Sequence, residues 1–206
     1  MSNFNEYSTR SDLKTAGKES LRGRWGLAVL VSLLISAITL FLNFFGPDNI
    51  LISIASLILS PIISYSSIIF YYRMAQNEEV ELTNIFDEFK YLGKVFGLSF
   101  LMGLIILLGL LLFIIPGIIL SFSYSQAFYI MKDNEDFGII DCLRESRRLM
   151  NGYKWEYFIF ELSFLGWSIA CIFTLGIGML WLTPYMSVSC ANFYIKLKEC
   201  DSKELL

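Results

Sequence analysis

The chain has 206 residues, of which 55% are hydrophobic and only 17% are charged, whereas a soluble domain typically carries about 25% charged residues. Its apolar residues form long uncharged blocks, so the composition excludes an ordinary soluble domain and predicts a polytopic membrane protein. The net charge of −3 gives no indication of a nucleic-acid partner. Because the chain has no histidine and its four cysteines show no CxxC spacing, we expect no metal, no other cofactor and no disulfide framework.

The first segment, residues 1–24, carries mixed charges and no apolar core, so it is not predicted to be a cleavable signal peptide. A weak apolar face predicts a cytoplasmic amphipathic helix in this segment, and the face consists of Leu13, Ala16, Gly17 and Leu21. The apolar blocks that follow, 25–45 and 50–72, are each long enough for one membrane-spanning helix.

A second amphipathic segment precedes the third apolar block, and its helical spacing puts Leu82, Ile85, Phe86, Phe89 and Leu92 on one face and Glu81, Asp87, Glu88 and Lys90 on the other. The block itself has no charged residue from Val95 to Met131, which is too long for one span of roughly 20 residues. Because proline and glycine end or kink helices, Pro116-Gly117 predicts two spans, about 95–115 and 117–131. The second of these is short, so a turn near Gly109 stays open as the alternative.

A third amphipathic segment precedes the last block, with an apolar stripe of Ile139, Ile140, Leu143, Arg147 and Met150 and a polar face of Asp141, Arg144, Glu145 and Arg148. Such a helix is either a docking platform or sensor of anionic lipid, or a structural collar, and its mixed charges favour the collar. The last block breaks at "TLGIG" (174–178), which predicts spans of about 155–174 and 178–195 before a cytoplasmic tail, 196–206.

The distribution of basic residues selects this six-span arrangement. All 16 Lys and Arg residues then lie on one side of the membrane, and none lies in the three opposite tips, "GPDN" (46–49), "PG" (116–117) and "TLGIG". Since positive charge marks cytoplasmic loops, both termini are predicted to be cytoplasmic. The predicted fold is therefore all-α: a single integral membrane domain of six transmembrane helices, arranged as three helical hairpins with cytoplasmic amphipathic helices.

The three hairpins also look alike in sequence. Each outgoing span follows a glycine and a basic residue, and the returning helices end in "FYYR" (70–73), "FYIMK" (128–132) and "FYIK" (193–196). These similarities predict a threefold repeat. The alternative is convergence, because any span favours aromatic and basic residues at its inner end.

Longer stretches carry a family resemblance. The segments "IIPGIILSFSYSQAFYIMKDNEDFGIIDCLRESRRLMNGYKWEYFIFELSFLGW" (114–167), "TLGIGMLWLTPY" (174–185) and "LKTAGKESLRGRWGLAVL" (13–30) resemble a bacterial integral membrane family known as domain of unknown function 975. The proline-glycine turn followed by "LRESRRLMNG" is also similar to the non-catalytic membrane domain attached to some glycerophosphodiester phosphodiesterases. The resemblance implies a six-helix bundle in the bacterial cytoplasmic membrane and supplies no catalytic residues.

Glu161 is the acidic residue predicted to lie well inside a span, about 9 Å beyond Trp155 at 1.5 Å per residue. Intramembrane carboxylates usually face the bundle interior and mark an ion or ligand site, although such a residue also serves simply to hydrogen-bond a neighbour. We expect Glu161 to point inward and bind a hydroxyl of Ser64, Tyr65, Tyr124 or Tyr185. The candidate ligand-binding residues are Glu161, Tyr124, Gln126 and Tyr185.

The motifs of common enzyme classes are absent: the chain has no HExxH, no glycine-rich phosphate loop and no GxSxG. The acidic runs "NEEVE" (77–81) and "DNED" (133–136) are predicted to be solvated loops rather than metal sites. We therefore predict a non-enzymatic scaffold, regulator or protector whose partners are the bilayer and a membrane protein or bound lipid. A small transporter or permeation protein using Glu161 is the alternative, and an enzyme acting on lipid comes third.

Overall fold

A computed structural model describes residues 9–45 and 49–204, which form nine α-helices and two short 3-10 helices, with no strand among these residues. The all-α class is thus confirmed. In chain order the α-helices are α1 (Arg10–Leu21), α2 (Trp25–Phe45), α3 (Ile50–Ala75), α4 (Leu92–Leu112), α5 (Ile114–Tyr124), α6 (Ala127–Asp133), α7 (Ile139–Leu149), α8 (Lys154–Phe173) and α9 (Met179–Glu204). The 3-10 helices, Leu82–Ile85 and Asp87–Tyr91, lie between α3 and α4.

Within residues 9–45 and 49–204, five helical stretches are long and apolar enough to cross a membrane: α2, α3, the segment Leu82–Leu112 that ends with α4, the pair α5 and α6, and α8. The helix at the sixth predicted span, α9, has 26 residues but is not among them. Its sequence mixes apolar residues with Pro184, Asn192 and Lys196, which lower its hydropathy.

The long uncharged block is two helices rather than one kinked helix. Phe113 between α4 and α5 has an extended backbone (φ −159°, ψ 148°), and a Cβ added to Gly117 would lie 2.8 Å from the backbone nitrogen of Leu110. A Cβ added to Gly109 would likewise lie 3.1 Å from the Cα of Gly117. In a continuous helix these two glycines would be about 12 Å apart, so the chain folds back here.

The turn is at Phe113, and both the predicted position at Pro116-Gly117 and the alternative near Gly109 are wrong. Pro116 instead occupies the first turn of α5, where its missing N–H leaves no intrahelical hydrogen bond unmade. Gly109 and Gly117 allow the two backbones to approach closely on either side of the turn.

Helix α1 has the predicted apolar face, since Leu13, Gly17 and Leu21 are buried. It is packed into the bundle, however, rather than lying free on a surface. Gly17 faces Ser189 of α9 so closely that an added Cβ would lie 3.4 Å from the Ser189 Cβ. The Lys14 ammonium donates to the carbonyl of Ser163, in the middle of α8, at 3.1 Å.

The predicted second amphipathic helix does not form as an α-helix, and its two faces are not as expected. The segment is two 3-10 helices in which Phe86 is 62% exposed, whereas Glu88, assigned to the polar face, is only 1% exposed. Glu88 lies inside because two cationic side chains, Arg73 and Lys132, bind it there.

The third amphipathic helix is α7, but its buried face is rotated from the prediction. Leu143 and Met150 are buried within the protein instead of facing a bilayer, and Ile140, expected on the same stripe, is 63% exposed. Two contacts set this rotation: Ile139 fills the space beside Gly97 of α4, and Ser146 is bonded to α5 and α6.

The core of the molecule lies at one end of the helices. We call it the basic end, and it comprises the C-terminal parts of α3, α6 and α9 and the N-terminal parts of α4 and α8. The largest buried side chains gather there, among them Tyr65, Tyr71, Tyr72, Phe160, Phe193 and Tyr194. Toward the other end, α2, α4 and α8 expose large apolar side chains, as membrane-facing helices do.

Candidate functional site at the basic end of the bundle

Three tyrosines from three helices pack against one another at the basic end. Tyr72 of α3, Tyr129 of α6 and Tyr194 of α9 have ring centroids 5.0 to 5.7 Å apart. Each belongs to one of the similar helix endings, "FYYR", "FYIMK" and "FYIK". The similar endings therefore meet in space, and aromatic pairs at these distances each contribute about 0.5–1.5 kcal/mol beyond their buried area.

Asp133 connects the same three helices through its carboxylate. The Tyr72 and Tyr194 hydroxyls donate to it at 2.8 and 2.9 Å, and the Lys198 ammonium donates to one of its oxygens. Hydrogen bonds to an ionised acceptor are roughly twice as strong as neutral ones. The first residue of "DNED", predicted to be solvated, is thus a mostly buried link between α3, α6 and α9.

Glu88 forms a second charged network beside it. Arg73 at the end of α3 donates to Glu88 at 2.7 Å, and Lys132 at the end of α6 donates to the same oxygen at 2.9 Å. Arg73 also reaches the exposed Asp87 at 3.1 Å. Sequence reasoning missed this network, although the two cations are the residues that end "FYYR" and "FYIMK", and their repetition was the available signal.

A hydroxyl from α7 hydrogen-bonds to backbone groups at the break between α5 and α6. Ser146 is fully buried; its Oγ donates to the carbonyl of Ser123 at 2.9 Å and accepts from the backbone N–H of Gln126 at 3.3 Å. It thereby satisfies backbone groups that lose their helical partners at a break. The side-chain nitrogen of Gln126 donates to the Ser125 hydroxyl at 2.9 Å. The side-chain oxygen of Gln126 is buried with no partner among the described residues.

Glu161 lies halfway along α8 and is half-buried. The Cys190 thiol of α9 donates to its carboxylate with a sulfur–oxygen distance of 3.8 Å, and the buried Tyr157 lies beside it one helical turn away. None of the four hydroxyls predicted to bind Glu161 does so among the described residues. A cysteine is the partner because α8 and α9 meet at this level, which the sequence did not indicate.

The other candidate ligand-binding residues lie at separate places. Tyr124 borders an apolar cavity beside α7, Gln126 is enclosed beneath α7, and Tyr185 borders a cavity of about 520 Å³ together with α1 and three tryptophans. The structure therefore brings neither Tyr124, Gln126 nor Tyr185 to Glu161. The single polar intramembrane site expected from the sequence is divided among four environments.

The four candidate docking residues do share one face of α7, which is charged and largely exposed. Arg144 contacts Asp141 at 3.3 Å, and Arg148 binds both Glu145 and Asp201 at 2.7 Å. These bonds raise the pKa of Arg148, and the bond from Arg148 lowers the pKa of Asp201. Among the residues that the structure describes, no three acidic or cysteine side chains come together as a metal site would require.

Among the residues that the structure describes, five helical stretches are long and apolar enough to span a bilayer and charged networks join the helices at one end, which indicates a membrane protein. The model of the family described as "Protein of unknown function (DUF975)" matches residues 1–120 and 104–201, and the chain therefore belongs to that family. Comparison with curated proteins gives no match, and neither does comparison with solved structures.

Proposed function

We propose that this chain is a non-enzymatic membrane protein that acts by interaction, as a scaffold, regulator or protector in the bacterial cytoplasmic membrane. The observation that carries the proposal is the interlocked basic end, where Glu88 and Asp133 are both held by cations or hydroxyls from several helices. Carboxylates bound in this way stabilise a rigid surface and are not free to act as a general acid or base. Helix α7 presents its charged face on that surface.

The proposal includes six spans, arranged as three hairpins with both termini in the cytoplasm. Helix α9 has 26 residues, about 39 Å at 1.5 Å per residue, which is enough to cross a hydrocarbon core of about 30 Å. Its Tyr194 packs against Tyr72 of α3 and Tyr129 of α6, so the part of α9 that leads to Tyr194 lies beside two candidate spans. We extend the proposal to a shared membrane fold with the non-catalytic domain of some glycerophosphodiester phosphodiesterases.

Labelling with a membrane-impermeant thiol reagent on intact cells tests the topology. In a variant whose four cysteines are replaced by alanine, Phe113→Cys and Ile177→Cys should be labelled from outside, because both side chains are exposed at turns. Glu79→Cys and Arg144→Cys, exposed at the basic end, should be labelled only after the cells are lysed. The first tip, 46–48, lies outside the described residues and is not used. Labelling of Arg144→Cys in intact cells would refute the arrangement.

A second candidate function, transport or permeation, is favoured by the inward position of Glu161 beside Cys190. A carboxylate within a span can carry a proton or bind a cation. In vesicles containing a trapped pH indicator, the wild-type chain would then conduct protons and Glu161→Gln would not, although Glu161→Gln keeps the size and hydrogen bonding of the side chain. Equal proton flux through the wild-type chain and Glu161→Gln would exclude Glu161 as the group that carries the proton.

A further inference from the structure

A cavity lined almost entirely by cations opens where α7 meets α8. It has a volume of about 400 Å³ and is lined by Arg144, Arg147, Arg148, Asn151 and Lys154. The chain reverses there through Gly152, whose φ of +91° is in the region that favours glycine. This turn brings Lys154, at the start of α8, back toward the arginines at the end of α7. Four positive charges thus face one space, and no acidic side chain of the described residues lines it.

The charges in this cavity differ in how far they are already neutralised. Arg148 is held by Glu145 and Asp201, and Arg144 has one longer contact with the exposed Asp141. Arg147 and Lys154 have no acidic partner among the residues that the structure describes. Two free cations and one weakly paired arginine suit an oxyanion, because guanidinium groups bind phosphate oxygens in a bidentate geometry.

A second, apolar cavity adjoins the first and shares two of its arginines. It has a volume of about 300 Å³, and Arg144 and Arg147 border it together with Leu101, Ile105, Tyr124, Ile140 and Leu143. The same two guanidinium groups thus stand between a cationic space and an apolar one. A ligand that fills both must carry an anionic group and a hydrocarbon group close together, which a free phosphate ion does not.

We propose that this corner binds an anionic phospholipid, with the headgroup phosphate on Arg144, Arg147 and Lys154 and an acyl chain along the apolar cavity. Trp155 follows Lys154 and is 66% exposed, as expected of a tryptophan at the level of lipid headgroups. The inference rests on the proposed membrane insertion, because only an inserted chain presents this corner to the headgroups of one leaflet. The proposed site gives specific residues to the alternative in which α7 senses anionic lipid.

Native mass spectrometry of the purified chain in detergent, titrated with lipid, tests the site. The wild-type chain should bind one dioleoyl phosphatidylglycerol at least about tenfold more tightly than dioleoyl phosphatidylcholine, since each basic residue near an anionic lipid contributes about 1 kcal/mol. The double variant R147Q/K154Q should lose this preference. The control R10Q/R22Q removes the same charge from exposed positions that do not line the cavity and should retain it.

Three results would overturn the proposal. The first is that the wild-type chain shows no preference for phosphatidylglycerol, and the second is that the preference survives in R147Q/K154Q. The third is that millimolar inorganic phosphate displaces the lipid, which would indicate a site for soluble anions. The conservative pair R147K/K154R, which keeps the charge, should retain the preference and separates the loss of charge from the change of residue. Correct topology in the thiol-labelling experiment with no lipid preference overturns this site alone, whereas wrong topology overturns the proposed function.

Discussion

Two carboxylates, the buried Glu88 and the mostly buried Asp133, show how single residues hold the basic end together. Each accepts hydrogen bonds from more than one helix: Glu88 from cations of α3 and α6, and Asp133 from tyrosine hydroxyls of α3 and α9. A paired buried charge adds little net stability compared with an apolar residue, but removal of one partner leaves the others buried and unpaired. The residues that matter most here are those whose partners have no other counterion.

Glu88→Ala should therefore destabilise the protein strongly, by about 3–5 kcal/mol, because it leaves the largely buried Lys132 without an acidic partner among the described residues, whereas Arg73 keeps Asp87. The neighbouring Asp87→Ala is the matched control, since Asp87 also binds Arg73 but is 47% exposed, and it should cost about 0–1 kcal/mol. Thermal unfolding in detergent measures both. Equal shifts in Tm would mean that Glu88 has no special role.

The Arg148–Asp201 pair predicts a small dependence of stability on pH. Its hydrogen bond lowers the pKa of Asp201 below that of an unfolded aspartate, about 3.9, so the stabilisation is complete above pH 4 and is lost as the pH falls through the lowered value. Because Arg148 is half-exposed, we expect less than about 1 kcal/mol. Asp201→Asn should reduce stability at pH 7 by more than it does at pH 3, as measured by chemical unfolding at the two pH values.

At the scale of elements, the turn between α4 and α5 depends on two glycines placed symmetrically about Phe113. Gly109 lies four residues before it and Gly117 four residues after it, and the backbones approach at these positions. Length and charge were enough to predict two helices in this block. The position of the turn was missed because phenylalanine is not a helix breaker, and the signal lay in the glycine spacing rather than at the proline.

Gly117→Ala should be clearly destabilising, because its Cβ would lie 2.8 Å from the backbone nitrogen of Leu110, which cannot move aside. We expect a loss of about 1–3 kcal/mol from this overpacking. Gly103→Ala, in the preceding helix α4, meets nothing within 4 Å and should be neutral or stabilising by up to about 1 kcal/mol. A Gly117→Ala protein as stable in detergent as Gly103→Ala would contradict the tight turn.

The amphipathic segments show what periodicity can and cannot predict. The apolar face of α1 was predicted correctly, but α7 was rotated and the segment 82–91 formed 3-10 helices. Hydrophobic spacing indicates which side chains leave water, and it does not distinguish lipid from protein as their destination. Glu88 was misplaced because its partner Lys132 lies 44 residues away in the chain.

On the scale of the whole molecule, the similar helix endings account for how the bundle is closed. Tyr72, Tyr129 and Tyr194 were visible as a sequence pattern, and the structure shows that they pack together on Asp133. The first and third of the three similar segments also share a glycine with positive φ before the outgoing helix, Gly23 at +78° and Gly152 at +91°. The middle unit lacks it, and the threefold repeat stays a prediction.

Helix α1 closes the bundle from the N-terminal side, and a disulfide can test its position. In the cysteine-free variant, Gly17→Cys combined with Ser189→Cys should form a disulfide on mild oxidation, because the two Cβ atoms would be 3.4 Å apart, near the range of natural disulfides. Lys18→Cys, on the exposed side of α1, should not react with Ser189→Cys. Mobility on non-reducing gels distinguishes the outcomes, and an uncrosslinked first pair would place α1 elsewhere.

The bonds of Ser146 to the break between α5 and α6 also bear on how the chain is assembled during synthesis. Ser146 follows Gln126 by 20 residues, so the preceding segment leaves the ribosome with unpaired backbone groups at the break. Those groups are costly in hydrocarbon until a partner arrives. We therefore expect α5 and α6 to stay mobile beside the insertion machinery until α7 has been made, so that the break between them becomes stable only when Ser146 has been translated.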